Sequence, residues 1–194
     1  MYDVMIIAGY DVFADKIPSH RAYVMKCWER AKQEKVNMIV VMGGATNPDF
    51  PELTEAEANK KILMPLLGKD FSPVLVNIYQ GKTSAETLQA ALDYFREHRE
   101  HKIVINKLIL CAEQARLANF LADALQLGLI DLAKELVAFG FQFPESAEKF
   151  SRQREKMLIN VLSHHGWFFR CIRNIRQKIH QKKVSRQKRR EAKK

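Results

Sequence analysis

Short apolar runs alternate along most of the chain with longer stretches in which apolar positions recur every three or four residues. Residues 4–8, 38–42, 74–78 and 107–111 read as buried strands, and 136–143 as a fifth, although 132–137 also suits the end of a helix. Between them, helical spacing links Tyr23 or Val24, Cys27, Trp28 and Ala31 after a Pro18-Ser19 start. It also links Ala58, Ile62, Leu63 and Leu66, then Leu88, Ala91, Leu92 and Phe95, and finally Leu117, Phe120, Leu121 and Leu125. Gly68 and Gly128 close two of these helices, and Pro144 opens another helical stretch to about residue 162. Trp28 falls on an inward stripe and reads as core. Strands alternating with helices predict right-handed crossovers and a parallel sheet, hence a three-layer α/β/α sandwich with a mainly parallel, Rossmann-like sheet of about five strands.

The strand ends carry the candidate chemistry. In such sheets ligands bind beyond the carboxyl ends of the strands. The first strand ends at Gly9, with Asp11 beyond it, and the second at Gly43-Gly44, where backbone N–H groups become accessible. A polar loop with Thr46, Asn47 and Asp49 then leads to a helix start at which Thr54 is the expected cap and Glu57 its partner three residues on. The third strand runs into Gln80-Gly81-Lys82-Thr83, the second half of a phosphate-binding loop. The first glycine of that motif would fall at Val76, inside the strand, and the loop is too short to curl around phosphates, which argues against a nucleotide triphosphatase site. Thr83, Ser84, Glu86 and Thr87 place hydroxyls and a carboxylate where the next helix's free N–H groups meet either an anion or a side-chain cap. Glu113 and Arg116 follow the fourth strand. The candidate ligand-binding residues are therefore Gly9, Asp11, Gly43, Gly44, Glu55, Ser84, Glu86, Glu113 and Arg116. They would present glycine N–H groups, an anion pocket at Ser84, a bidentate guanidinium and carboxylate acceptors to a small polar ligand. Each acid also has a plainer role, compensating a helix dipole, and the plainer role of Arg116 is to pair with one of them.

Composition and charge narrow the setting. At 194 residues with 47% hydrophobic content the chain fits one domain with a full core. Cys27, Cys111 and Cys171 are far apart, which argues against a zinc or redox motif and for a reducing compartment. The scattered histidines point to no metal. No membrane span or signal-peptide pattern is visible, and a cytoplasmic location is expected. The net charge of +10 is concentrated at one end: residues 170–194 hold twelve Lys and Arg against one Glu, a net +11, leaving 20 bases and 21 acids, a net −1, elsewhere. Residues 1–166 read as the ligand-binding domain and 167–194 as a basic amphipathic helix with a disordered end. Arg170, Arg173, Arg176, Lys178, Lys182 and Lys183 would attach that segment to an anionic membrane surface or a nucleic acid. The lack of aromatics from Val184 onward argues against sequence-specific nucleic-acid recognition.

With its strand ends laid out, the chain resembles the SanA/ElyC/YdcF-like family over most of residues 1–162. The family's arginine-containing first helix resembles the segment at Arg21, its Gly-Gly strand end Gly43-Gly44, and its Ser-Glu-Ala helix start Thr54-Glu55-Ala56. Its Ser-x-Asn-Thr-x-Glu-Asn junction resembles residues 81–87, where Glu86 is identical and Ser84 keeps a hydroxyl. Its His-x-x-Arg becomes Glu113-Gln114-Ala115-Arg116, retaining the arginine and losing the histidine, and a late Arg-Glu pair resembles Arg154-Glu155. The lost histidine implies a divergent or inactive member of that family, and the mixture of groups at the strand ends suits a nucleotide-like or adenosyl ligand such as S-adenosylmethionine. The sequence offers no nucleophile, so an enzymatic reaction is left open.

Overall fold

The computed structural model describes residues 1–9, 18–46, 50–68, 70–81, 83–98 and 104–142. They form five strands, β1 (Tyr2–Ile7), β2 (Met38–Met42), β3 (Val74–Ile78), β4 (Ile105–Glu113) and β5 (Ala133–Phe141). Four α-helices alternate with them: α1 (Pro18–Gln33), α2 (Glu55–Leu63), α3 (Ser84–Glu97) and α4 (Gln114–Gln126). All strand pairings are parallel, and the order across the sheet is β3-β2-β1-β4-β5. The expected three-layer α/β architecture is present.

Burial follows strand position. Every residue of β2 is buried, as are residues 4–7 of β1 and 108–113 of β4, because each of these strands has a strand on both sides and helices over both faces. The edge strands β3 and β5 are only partly buried. One core unites α3 and α4 with the sheet through Leu88, Leu92, Phe95 and Phe120. The other unites α1 and α2 with the opposite face through Tyr23, Cys27, Trp28 and Leu63. Trp28 is core, packed with its ring centroid 4.9 Å from that of Phe71.

The helix starts obey local chemistry. Thr54 and Thr83 each close a full capping box, accepting from the N–H of Glu57 and Glu86 while those carboxylates return to the threonine N–H. β2 and β3 match the sequence reading at both ends, while the limits of β1, β4 and β5 differ from it by one to three residues. The fifth strand begins at Ala133 directly after a 3₁₀ turn at Leu129–Leu132, so the helical alternative for 132–137 does not hold beyond that turn. Leu125 also departs from expectation. It lies in the last turn of α4 beside the buried Ala124, on the outward side of the helix, and is 47% exposed, whereas Phe120 is buried. The helical stretch expected from Pro144 and the whole basic segment 167–194 lie outside the described residues. Among the described residues no helix is long and apolar enough to cross a membrane.

The contrast on α4 is testable by chemical denaturation. Phe120→Ala should cost about 3–5 kcal/mol of unfolding free energy. Leu125→Lys should stay within about 0.5 kcal/mol of the parent, and a larger loss would place Leu125 in the core.

Candidate functional site

The strand order fixes where a crevice opens. From β1 the chain moves outward to β2 and β3 with α1 and α2 on one face, then returns past β1 to β4 and β5 with α3 and α4 on the other. The direction of winding therefore reverses between β1 and β4. Connections leaving these two carboxyl ends diverge to opposite faces, the position at which open α/β sheets hold ligands.

Gly9 lies at this reversal and two candidate side chains converge on it. The Glu55 carboxylate, from the first turn of α2, packs so closely over Gly9 that a Cβ there would overlap Oε2. The same carboxylate covers Gly43, whose φ of +140° suits glycine and where a Cβ would come within 2.7 Å of Oε2. Main-chain bonds fix this arrangement. Glu55 N–H donates to Gly44 O at 3.2 Å and Ala56 N–H to Gly43 O at 3.1 Å. The Thr46 hydroxyl orients the side chain by donating to Glu55 Oε1 at 2.9 Å. From the other side of the reversal, Arg116 Nη1 donates to Gly9 O at 3.2 Å, and its Nε lies 3.8 Å from Glu113 Oε2. Glu113 is 2% exposed and Arg116 half-buried, so the pair sits beneath the surface beside the β1–β4 reversal. The plain pairing of Arg116 with an acid is thus real, and it coexists with contact to the strand end.

The other candidates are placed differently. Gly44 is pressed against the turn before α3, where an added Cβ would collide with Gly81 O and reach 3.1 Å from Tyr79 O. A side chain at Gly44 would therefore disturb the backbone between β2 and the turn before α3. Ser84 donates to Asp123 Oδ2 at 2.7 Å, tying α3 to α4. Glu86 closes its capping box at 3.2 Å from Thr83 N. The α3 start therefore meets the side-chain cap of the two alternatives the sequence allowed, at one strand's remove from the reversal. Asp11 lies outside the described residues, as do the basic residues from Arg170 onward. Arg21 is exposed on α1, while its neighbour His20 is buried. Among the described residues no group of three His, Cys, Asp or Glu side chains forms a metal site.

Several polar residues behind the crevice escaped sequence reading. Tyr23 OH lies 2.9 Å from Cys111 O and 3.1 Å from Ala8 O, so its proton bridges the ends of β4 and β1 from α1. Burial, reinforced by the neighbouring Cys27 and Cys111, pushes the Tyr23 phenol well above its ordinary range, although Arg116 acts the other way. Burial likewise raises the Cys27 thiol, aided by Cys111. Tyr23 is thus a neutral donor and not a base. His20 and Asn59, both fully buried, meet at 2.8 Å through Nε2 and Oδ1; with the amide oxygen facing the ring, Nε2 is the donor. Asn59 follows Glu55 by one helical turn, so this contact braces the helix that carries the glutamate. The spacing Glu55-x-x-x-Asn59 is the only sequence signal for it; Tyr23 left none, since its partners are main-chain carbonyls.

A second concavity, of about 350 Å³, lies between α1 and β5 and is lined by Met25, Arg30, Phe139 and Phe141 among others. Arg30 stacks over Phe139 at 3.7 Å within it. Its largely apolar lining and lack of any strand-end candidate separate it from the crevice at Gly9. No protein-family model, curated protein or solved structure matches the chain. The strand-end geometry therefore carries the functional reading.

Tyr23 gives a pH test of this architecture. A phenol pKa raised by folding stabilises the protein below the ordinary value near 10, and that stabilisation is lost as pH rises through the raised value. Tyr23→Phe should cost about 1 kcal/mol at neutral pH and flatten the decline in melting temperature above about pH 10. An unchanged alkaline decline in the variant would assign it to other groups.

Proposed function

We propose that the chain is a SanA/ElyC/YdcF-like α/β domain that binds a small polar or nucleotide-like ligand at the carboxyl ends of its strands, beside the β1–β4 reversal. The observation that carries this reading is the convergence of Glu55 and Arg116 on Gly9, with Glu113 buried behind the arginine. A fold alone needs no pair of opposite charges at a strand end. A ligand site uses both, one side chain accepting hydrogen bonds and the other donating them in a fixed fork. The family likeness gains support from placement: Gly43-Gly44 ends β2, Glu55 opens α2 over it, and Arg116 lies in the first turn of α4. Adenosyl compounds such as S-adenosylmethionine belong to the ligand class. The displaced family histidine, represented by Glu113, limits the proposal to binding and assigns no reaction.

A second, separable role is attachment of the basic residues 170–194 to anionic membrane or nucleic acid. It is favoured by their net +11 against a domain of net −1. Salt-sensitive sedimentation of the full chain with anionic vesicles or RNA should occur and be abolished by deleting these residues.

The ligand site is tested by a thermal-shift screen of the full chain against nucleosides, nucleotides, adenosyl compounds, sugars and sugar phosphates. A ligand at about 100 times its Kd should raise Tm by about 5–10 °C. Arg116→Gln should remove the shift while leaving the unliganded protein folded. A flat screen on folded protein, or hits indifferent to Arg116→Gln, would contradict the reading.

A further inference from the structure

We propose that the groove between α1 and β5 is the seat of residues 144–162 of the same chain, which return over the sheet as a fifth helix antiparallel to β5. A parallel sheet is covered by helices on both faces. On one face of β5 that cover is α4, with Leu136 and Ala138 in the shared core and Gly140 so close to Gln114 that a Cβ would overlap it. On the opposite face Val137, Phe139 and Phe141 are half-buried and border α1, while α2 lies farther across the sheet over β2 and β3. The two phenylalanines form the strand wall of the groove, facing Met25, Glu29 and Arg30 of α1. Phe141 also meets Tyr23 edge-on, with ring centroids 6.0 Å apart. Half-buried aromatic side chains in a row mark a surface that an apolar partner covers.

The chain itself supplies that partner. The described residues end at Gln142, next to Phe141 of the groove wall, so the chain that follows leaves from the groove's own carboxyl end. In the helical stretch expected from Pro144, Ala147, Phe150, Met157, Leu158, Val161 and Leu162 fall on one side, and Lys149, Arg152 and Lys156 on the other. Arg154 is the only charged residue within the apolar stripe, and Glu29 on the α1 wall makes no ion pair among the described residues. The lengths agree. Residues 144–162 make a helix of about 28 Å, and β5, nine residues long, spans about 30 Å. Such a helix carries the chain from the carboxyl to the amino edge of the sheet. Residues 170–194, with their net +11, then depart on the side away from the Gly9 crevice, which keeps the ligand site and the basic attachment at opposite ends of the domain.

Nitroxide labels on the full chain test the seat. In a Cys171→Ser background the remaining thiols, Cys27 and Cys111, are buried, so a cysteine introduced at Glu29 or Glu135 takes the label. Glu29 lines the groove, and Glu135 shares the face of Val137 at the amino end of β5. The label in Glu29→Cys should broaden amide signals across residues 150–158, and that in Glu135→Cys should broaden 157–162 more than 147–150. The reverse gradient overturns the antiparallel course, and unbroadened signals across 147–162 overturn the seat. Broadening seen only when labelled chain is mixed with a separate isotope-enriched chain puts a second copy in the groove and also overturns it. Hydrogen exchange of the full chain decides should a labelled variant fail to fold. Amides of residues 147–162 should be protected, and Phe139→Ala and Leu158→Ala should each speed their exchange about tenfold or more. Lys156→Ala, on the outward side, should change it by less than about twofold. Absent protection, or exchange indifferent to Phe139→Ala, overturns the proposal.

Discussion

β1 is the constraint on which the rest depends. It pairs on both sides, with β2 and β4, and its residues 4–7 have no exposed surface, so two helices must cover each face of the sheet around it. Because β1 is both the first strand and the central one, the chain must wind outward in one direction, return and wind outward in the other. That reversal sends the helices that follow β1 and β4 to opposite faces of the sheet, with Gly9 between them. The site is thus a consequence of strand order before it is a matter of side chains.

The side chains then decide what the crevice presents. Gly9 and Gly43 lack a Cβ where Glu55 lies, and this absence lets a carboxylate rest on the main chain at the junction of two strands. Arg116 meets the same residue from α4 and carries Glu113 with it. Behind them Tyr23 ties the ends of β1 and β4 together, while His20 and Asn59 join α1 to α2. The polar groups therefore form a supported layer from the helices of one face to the strand ends. On the proposed reading, a mixed set of acceptors and donors held in this way would orient a polar ligand rather than merely attract charge.

The central strands were legible in the sequence because burial on both faces writes them as unbroken apolar runs. Capping boxes were equally legible: Thr54 and Glu57 need only three residues of separation, and both bonds are present. Legibility faded wherever a partner was distant or belonged to the main chain. Tyr23 read only as an apolar position, since nothing local marks a phenol that bridges Ala8 and Cys111 carbonyls. Ser84 read as a possible anion contact because Asp123, its acceptor, lies 39 positions away. Leu125 kept the helical spacing of a core residue, yet in the last turn of α4 it is the neighbouring Ala124 that faces the core. Glu55 was named for its place at a helix start, but its seat on Gly9 and Gly43 required the register of β1 against β2.

The most direct measurement of the ligand crevice is an amide correlation spectrum of the full chain titrated with adenosine. Eight glycines make that region of the spectrum resolvable by residue. Progressive shifts at Gly9, Gly43 and Gly44, with Gly68 and Gly128 unmoved, would place the ligand at the β1–β4 reversal. Shifts centred instead on Phe139 and Phe141 in the α1–β5 groove would contradict the account, and an unchanged spectrum would contradict the binding of nucleosides at the reversal.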